Sequence, residues 1–264
     1  MVSHYNQEAS VINIRPNIMF SRISVISLTL LATTVSMSGH AAELLKPYNA
    51  LYKVARNDIG IGKLTFTLAR NDQGAFVYES TRMPNAFVSL FKPDVIKERS
   101  QCRLQNGSIQ PLNYSYSQTG GSKERFVNMT FDWQTNRVTN HINNKPWSMS
   151  IPDNTQDKLG YLLAIMLDVS RGKTSMSYHI ADGGKLKTYD IRVIGEETLL
   201  TSSGKIDTVM IKRILPKKKK RSTVIWLAKQ LGYLPVKIQQ NEKNDVVYSM
   251  TLTSLNNADI RLQQ

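Results

Sequence analysis

The sequence predicts a mainly β protein: one large curved antiparallel sheet or incomplete barrel, with a single apolar helix packed in its concavity. Three observations carry this. Apolar and polar residues alternate with period two in short segments from Pro47 to Leu255, with turn residues between them, as half-buried antiparallel strands do. Residues 206–240 read as two long β-branched arms around a basic turn, and a hairpin of that length needs sheet on each side to bury both faces. Only residues 159–167 have helical spacing, and they are apolar nearly all round, so protein must enclose them.

Residues 1–42 read as a secretory signal. Arg22 precedes an uncharged apolar run, 23–35, and Gly39-His40-Ala41 supplies small residues for cleavage after Ala41 or Ala42. The run is short for a bilayer and no stop-transfer pattern follows, so no membrane anchor is expected after processing. Met19 would make a more compact start than Met1. The expected location is the periplasm, and residues 43–264 are expected to form one β-rich domain.

The strands follow in order. Residues 48–55 and 62–69 flank the turn Asn57-Asp58-Ile59-Gly60, and residues 75–83 follow Asn71-Asp72-Gln73-Gly74. Segments 94–104 and 109–118 are joined by Asn106-Gly107, a strong hairpin signal. Segments 123–133 and 137–142 meet across Gln134-Thr135-Asn136. One insert, 84–93, places Phe87, Val88, Leu90 and Phe91 between two prolines. It is too irregular for a core strand; it reads as a flap packing over one end of the sheet, or as a tip that touches ligand or membrane. The helix opens on Asp153 and Gln156, which resemble a capping pair, and ends at Gly172. Segments 174–181 and 185–194 follow, then Gly195-Glu196-Glu197-Thr198. The long hairpin arms, 206–215 and 223–228, lead into a further strand at 236–240. Residues 245–255 form the last strand, and the tail from Asn256 reads as frayed.

Motifs that carry chemistry are sparse. Gly172-Lys173-Thr174 imitates the end of a phosphate loop, but Leu167 stands where the first glycine belongs, and the run follows a helix instead of opening one. His141 and His179 each stand isolated on a strand, without a second ligand at metal spacing. Glu196 and Glu197 are adjacent, so on a strand they face opposite ways and form no carboxylate pair. The single cysteine, Cys102, excludes an intramolecular disulfide. Its alternating context favours a small buried hydrophobe over a reactive thiol. No catalytic constellation, metal site or cofactor is expected, and the chain reads as a non-enzyme.

The net charge is +14. In an envelope compartment the polyanions on offer are anionic lipid, lipopolysaccharide and cell-wall polymers, so these are the expected partners and nucleic acid is not. Lys217, Lys218, Lys219, Lys220 and Arg221 form five consecutive cations. They read either as a solvated hairpin tip that discourages edge pairing or as a contact for an anionic surface.

Gln156-Asp157-Lys158-Leu159 opening the helix, Gly195-Glu196-Glu197 before a strand, Thr223-Val224-Ile225-Trp226-Leu227-Ala228 and Tyr233-Leu234-Pro235-Val236-Lys237-Ile238 together resemble the bacterial domain-of-unknown-function family 3108. The pair Asp132-Trp133, and Asn113-Tyr114-Ser115-Tyr116 after Pro111, fit as well. The resemblance runs from about Tyr48 to Leu255. It implies an exported Gram-negative protein of mostly antiparallel β fold and supplies no catalytic residue. A weaker, architectural similarity connects the pattern to periplasmic lipoprotein carriers, whose incomplete barrels are lined by a helix.

Two functions follow as expectations. One is a binding or carrier protein that holds a lipid or other apolar moiety between sheet and helix, with Leu159, Leu162, Leu163, Met166, Trp226 and Tyr233 as lining. The other is a structural envelope factor with a fully packed interior, acting through protein contacts.

Overall fold

A computed structural model describes residues 45–143, 145–202, 204–215, 221–256 and 258–259. The signal segment 1–42 and the four lysines 217–220 lie outside the described residues.

The chain up to the helix is a single meander. Strands β1 (Tyr48–Arg56), β2 (Ile59–Arg70), β3 (Phe76–Pro84), β4 (Val95–Gln105), β5 (Ser108–Thr119), β6 (Arg125–Asp132), β7 (Arg137–Ile142) and β8 (Lys145–Ser150) each pair with the next. After the helix the meander resumes with β9 (Ser175–Asp182), β10 (Lys185–Thr201), β11 (Gly204–Ile214), β12 (Ser222–Ala228), β13 (Leu234–Asn241) and β14 (Val247–Leu255). Turn chemistry drives this pattern. Asn57 and Asp58, like Asn106 and Gly107, both have positive φ, the two-residue geometry that matches strand twist.

The first and last long strands then pair with each other, from Ala50 opposite Leu255 to Arg56 opposite Tyr248. The join lies in the middle of the sheet, and its open seam falls instead between β8 and β9. The segment linking those two edges carries the helix α2 (Tyr161–Ser170). Every residue from Leu162 to Leu167 is buried, as is Val169, and the helix packs against β5 and β9 inside the curved sheet.

Gln156 and Asp157 set the helix in place. Gln156 adds a one-residue parallel bridge to β9: its N–H donates to His179 O (2.7 Å), and its carbonyl accepts from Ala181 N–H (2.9 Å). Its side-chain amide donates to Ile109 O on β5 at 2.7 Å. The Asp157 carboxylate accepts from the N–H groups of Leu159 and Gly160 and from the Ser100 hydroxyl on β4 (2.8, 2.6 and 2.5 Å). Asp157 therefore holds the turn that leads into the helix, whose N-cap position, Gly160, has no side-chain cap; the pair Asp153 and Gln156 does not cap it, because Gln156 is committed to the sheet.

Inward residues fill the concavity with an aromatic cluster. Phe66 stacks on Tyr78 and meets Tyr52 edge-on, with centroids 5.5 Å apart in both cases. The Tyr52 hydroxyl donates to Pro235 O at 2.7 Å, tying β1 to β13 past the intervening strand. Cys102 is fully buried, and burial pushes its thiol up, so it behaves as a small hydrophobe.

Four readings of local structure change. Strand β8 lies where no strand is expected, because a six-residue edge strand containing Pro146 has too weak a pattern. Strand β10 does not stop at Ile194: it passes through a bulge between Val193 and Gly195, where Gly195 takes φ 153°, and runs on to Thr201. Insert 84–93 contains a short helix, α1 (Ala86–Ser89). The tail turns at Asn256, whose side chain accepts from Asn49 N–H at 2.9 Å, and returns as β15 (Ala258–Asp259) beside β14.

Candidate ligand-binding site

The expected lining of the concavity is a packed core. Leu159, Leu162, Leu163 and Met166 are all buried, and Met166 lines a cavity on the side where β12 turns into β13. Trp226 does not join the helix. Ile225 stands between Ile211 and Ile238, whereas Trp226 stands between Met210 and Lys237, so alternation puts the indole on the other face of β12. Its N–H donates to Glu197 at 2.6 Å and the Lys237 ammonium lies 4.7 Å over its ring. Tyr233 sits in the β12–β13 turn with φ 61°, half-buried, its N–H held by Ala228 O. Of the basic run only Arg221 is described. It is exposed and paired with Glu242 at 2.5 Å, so its charge is partly neutralised.

The space suited to a ligand lies elsewhere. Asn57 N–H donates to Val247 O at 2.8 Å, which brings the β1–β2 and β13–β14 turns together at one end of the sheet. The insert between β3 and β4 lies at the same end. Asn85 fixes it there: the side chain accepts from Val88 N–H (2.8 Å) and donates to Gly60 O (2.7 Å), and the backbone N–H donates to Ile61 O (3.0 Å). At its far end Asp94 accepts from Gln118 on β5 at 2.8 Å. Beneath α1 the inward side chains of six strands surround a cavity of about 380 Å³.

The walls of this cavity are mainly apolar: Val54, Ile61, Ile96 and Met250 from the sheet, with Val88 from α1. Its rim carries Arg82, Lys92, Asp94, Gln240 and Tyr248. Volume and lining fall within the range of small-molecule sites, and two cations against one carboxylate favour a ligand with an anionic group. A second cavity, about 530 Å³, opens at the opposite end between Tyr48, Met166, Leu234 and the β12–β13 turn, with Lys46, Lys229 and Gln230 contributing; its wall is more polar.

Neither cavity presents a nucleophile with an adjacent base. The close Ser100–Asp157 pair is wholly buried and spent on the turn that leads into the helix. His141 and His179 lie on separate strands, β7 and β9. Among the described residues no three His, Cys, Asp or Glu side chains gather as metal ligands.

The remaining sequence motifs hold the fold. Asp132 accepts from Gln134 N–H and from the backbone and hydroxyl of Thr135, closing the β6–β7 turn, and Trp133 donates to Pro111 O at 2.6 Å. Tyr114 donates to Glu98 at 2.5 Å inside the sheet. Sequence reasoning missed the flap-end pocket because Val54, Ile96 and Met250 have the same alternation as core residues. Only the position of the flap leaves space in front of them.

Comparison with known proteins agrees with this fold. The family model described as "Protein of unknown function (DUF3108)" matches residues 48–253. The chain is similar to a crystal structure of a β-barrel-like protein of domain of unknown function DUF1849 from Brucella abortus. The TM-score is 0.55 and the identity 9%, over 83% of this chain and 99% of that one, a likeness of fold alone. The Pseudomonas aeruginosa MucA/MucB complex aligns over 85% of this chain and 96% of that one at 6% identity, with a TM-score of only 0.17, too low to carry weight. No curated protein matches.

Proposed function

The chain belongs to the DUF3108 family, and from that premise we propose that it is a periplasmic envelope protein holding the apolar part of a lipid-like ligand in the flap-end pocket. One observation carries the reading: an apolar cavity of about 380 Å³ beneath α1, rimmed by Arg82 and Lys92. Aliphatic walls suit a hydrocarbon chain, and the rim cations suit an anionic group at its end. The protein's part is to bind and shield; no side chain at the pocket is arranged to break a bond.

The test is displacement of a fluorescent fatty acid, together with native mass spectrometry of the purified protein. The parent should bind the probe and carry an amphiphile. Ile96→Trp, which fills the pocket from β4, should weaken binding at least tenfold. A parent that binds no amphiphile, or a variant that binds like the parent, overturns the reading.

The second reading, a structural factor without ligand, is favoured by one feature. Helix α2 is buried nearly all round, so the middle of the concavity holds side chains and no guest. On that reading the flap-end cavity is a surface cleft, and the displacement assay is silent for parent and variant alike.

A further inference from the structure

The outward side of the flap has a different character from its inward side. Val88 faces the pocket, but Phe87, Leu90 and Phe91 are 72%, 76% and 79% exposed. Ile59, which opens β2 beside the adjoining β1–β2 turn, is 72% exposed and Met83 is 45% exposed. The connection is physical, since Asn85 bonds the flap to Gly60 and Ile61. Phe87 and Phe91 meet edge-on at 5.7 Å. Side chains this exposed stand proud of the surface, and five large apolar groups at one end of a molecule require an explanation.

Basic residues surround them. Lys63 is paired across the sheet with both Met83 and Lys53. Lys92 directly follows the apolar cluster, and its N–H is held by Val88 O at 2.8 Å. All three lysines are exposed, and Arg56, Arg82 and Lys243 add to them, against Asp58, Asp94, Glu242 and Asp245 at the same end. An apolar tip ringed by cations is complementary to a bilayer with an anionic headgroup layer, where lysine heads stay among the phosphates while rings and aliphatic groups enter the acyl boundary.

We propose that this end of the protein docks on an anionic lipid surface, with Phe87, Leu90, Phe91 and Ile59 inserting at the headgroup boundary and Lys53, Lys63 and Lys92 in the headgroup layer. The proposal is independent of what the pocket holds, although docking would set the pocket mouth against the membrane.

The test uses the full chain with vesicles of phosphatidylglycerol and phosphatidylethanolamine, and with neutral phosphatidylcholine vesicles. Because Cys102 is buried, a dye sensitive to polarity can be placed at Leu90→Cys, and as control at Gln73→Cys in the opposite β2–β3 turn. The dye at 90 should shift to the blue on anionic vesicles, less so as salt rises, while the dye at 73 stays unchanged. Phe87→Ser combined with Phe91→Ser should reduce vesicle binding at least tenfold at an unchanged thermal midpoint, and Lys53→Gln with Lys63→Gln and Lys92→Gln should weaken binding to anionic vesicles and flatten its salt dependence. Binding that leaves the dye at 90 in water, equal binding by parent and double serine variant, or no binding to any vesicle overturns the proposal.

Discussion

Asp157 has two opposed demands placed on it. Burial pushes its carboxyl up to about 6, although the N–H of Gly160, the Ser100 hydroxyl and the N–H of Leu159 pull it down; the charge of Glu98 adds to the rise. An acid held above its ordinary range keeps its proton longer when folded. Its contribution to stability therefore falls as pH rises from about 4 to about 6 and is flat above that. The expected size is up to about 3 kcal/mol. Asp157→Asn keeps an oxygen for the two backbone donors and offers an amide to Ser100. Urea unfolding between pH 4 and 7 should therefore lose much of the slope that the parent shows, and identical slopes would remove Asp157 from the account. Trp226 is a second residue whose environment decides its value. It is buried though off the helix-facing side, so Trp226→Ala should cost about 3–5 kcal/mol. A loss under about 1 kcal/mol in chemical denaturation would show that the Glu197 and Lys237 contacts do not bury the ring.

At the scale of elements, α2 and the flap divide the labour. The helix is apolar but for its last turn, where Asp168 accepts from the Tyr178 hydroxyl on β9 at 2.8 Å; its other ties to the sheet, at Gln156 and Asp157, precede its first turn. Leu163, fully buried, lines neither of the two cavities described, so Leu163→Ala should destabilise by about 2–5 kcal/mol without weakening amphiphile binding. Reduced binding at matched stability would place ligand beside the helix after all. The flap behaves in the opposite way. Its ordering rests on Asn85, and Asn85→Ala should cost about 1 kcal/mol through loss of the cap while altering probe binding far more than Leu163→Ala does. Binding unchanged in Asn85→Ala would separate flap from pocket.

Across the described residues the sheet is a meander that closes on itself at its ends and opens in its middle. Because β14 lies between β1 and β13, a chain ending after Asn241 would present two unpaired edges at the centre of the sheet, which invites aggregation. It should be recovered insoluble, whereas a chain ending after Asn256 should fold with a midpoint near the parent's. Soluble, cooperative unfolding of the shorter chain would show that the two halves fold independently. Export belongs to this scale too: the N-terminus recovered from a periplasmic fraction should be Ala42 or Glu43, and an intact Met1 or Met19 in the cytoplasm would count against the proposed location.

Local pattern determined a good deal of this protein. Alternation marked the strand segments because one buried face imposes period two, and the paired positive φ of Asn106 and Gly107 could be read from the residues alone. The helix at 159–167 was equally legible, since an apolar surface all round admits only burial. The family motifs were legible as motifs, but their roles were not, because Gln156, Asp157, Asp132 and Trp133 act through partners far along the chain. Tertiary structure alone decided the rest. The face taken by Trp226 depends on pairing register: Ile225 is set between Ile211 and Ile238, which leaves Trp226, between Met210 and Lys237, on the other face. The seam between β8 and β9 follows from pairing between strands at opposite ends of the sequence. The pocket exists because Asn85 pins the flap across the sheet's end with Val88 inward and Phe87, Leu90 and Phe91 outward, a choice among apolar residues that no periodicity records.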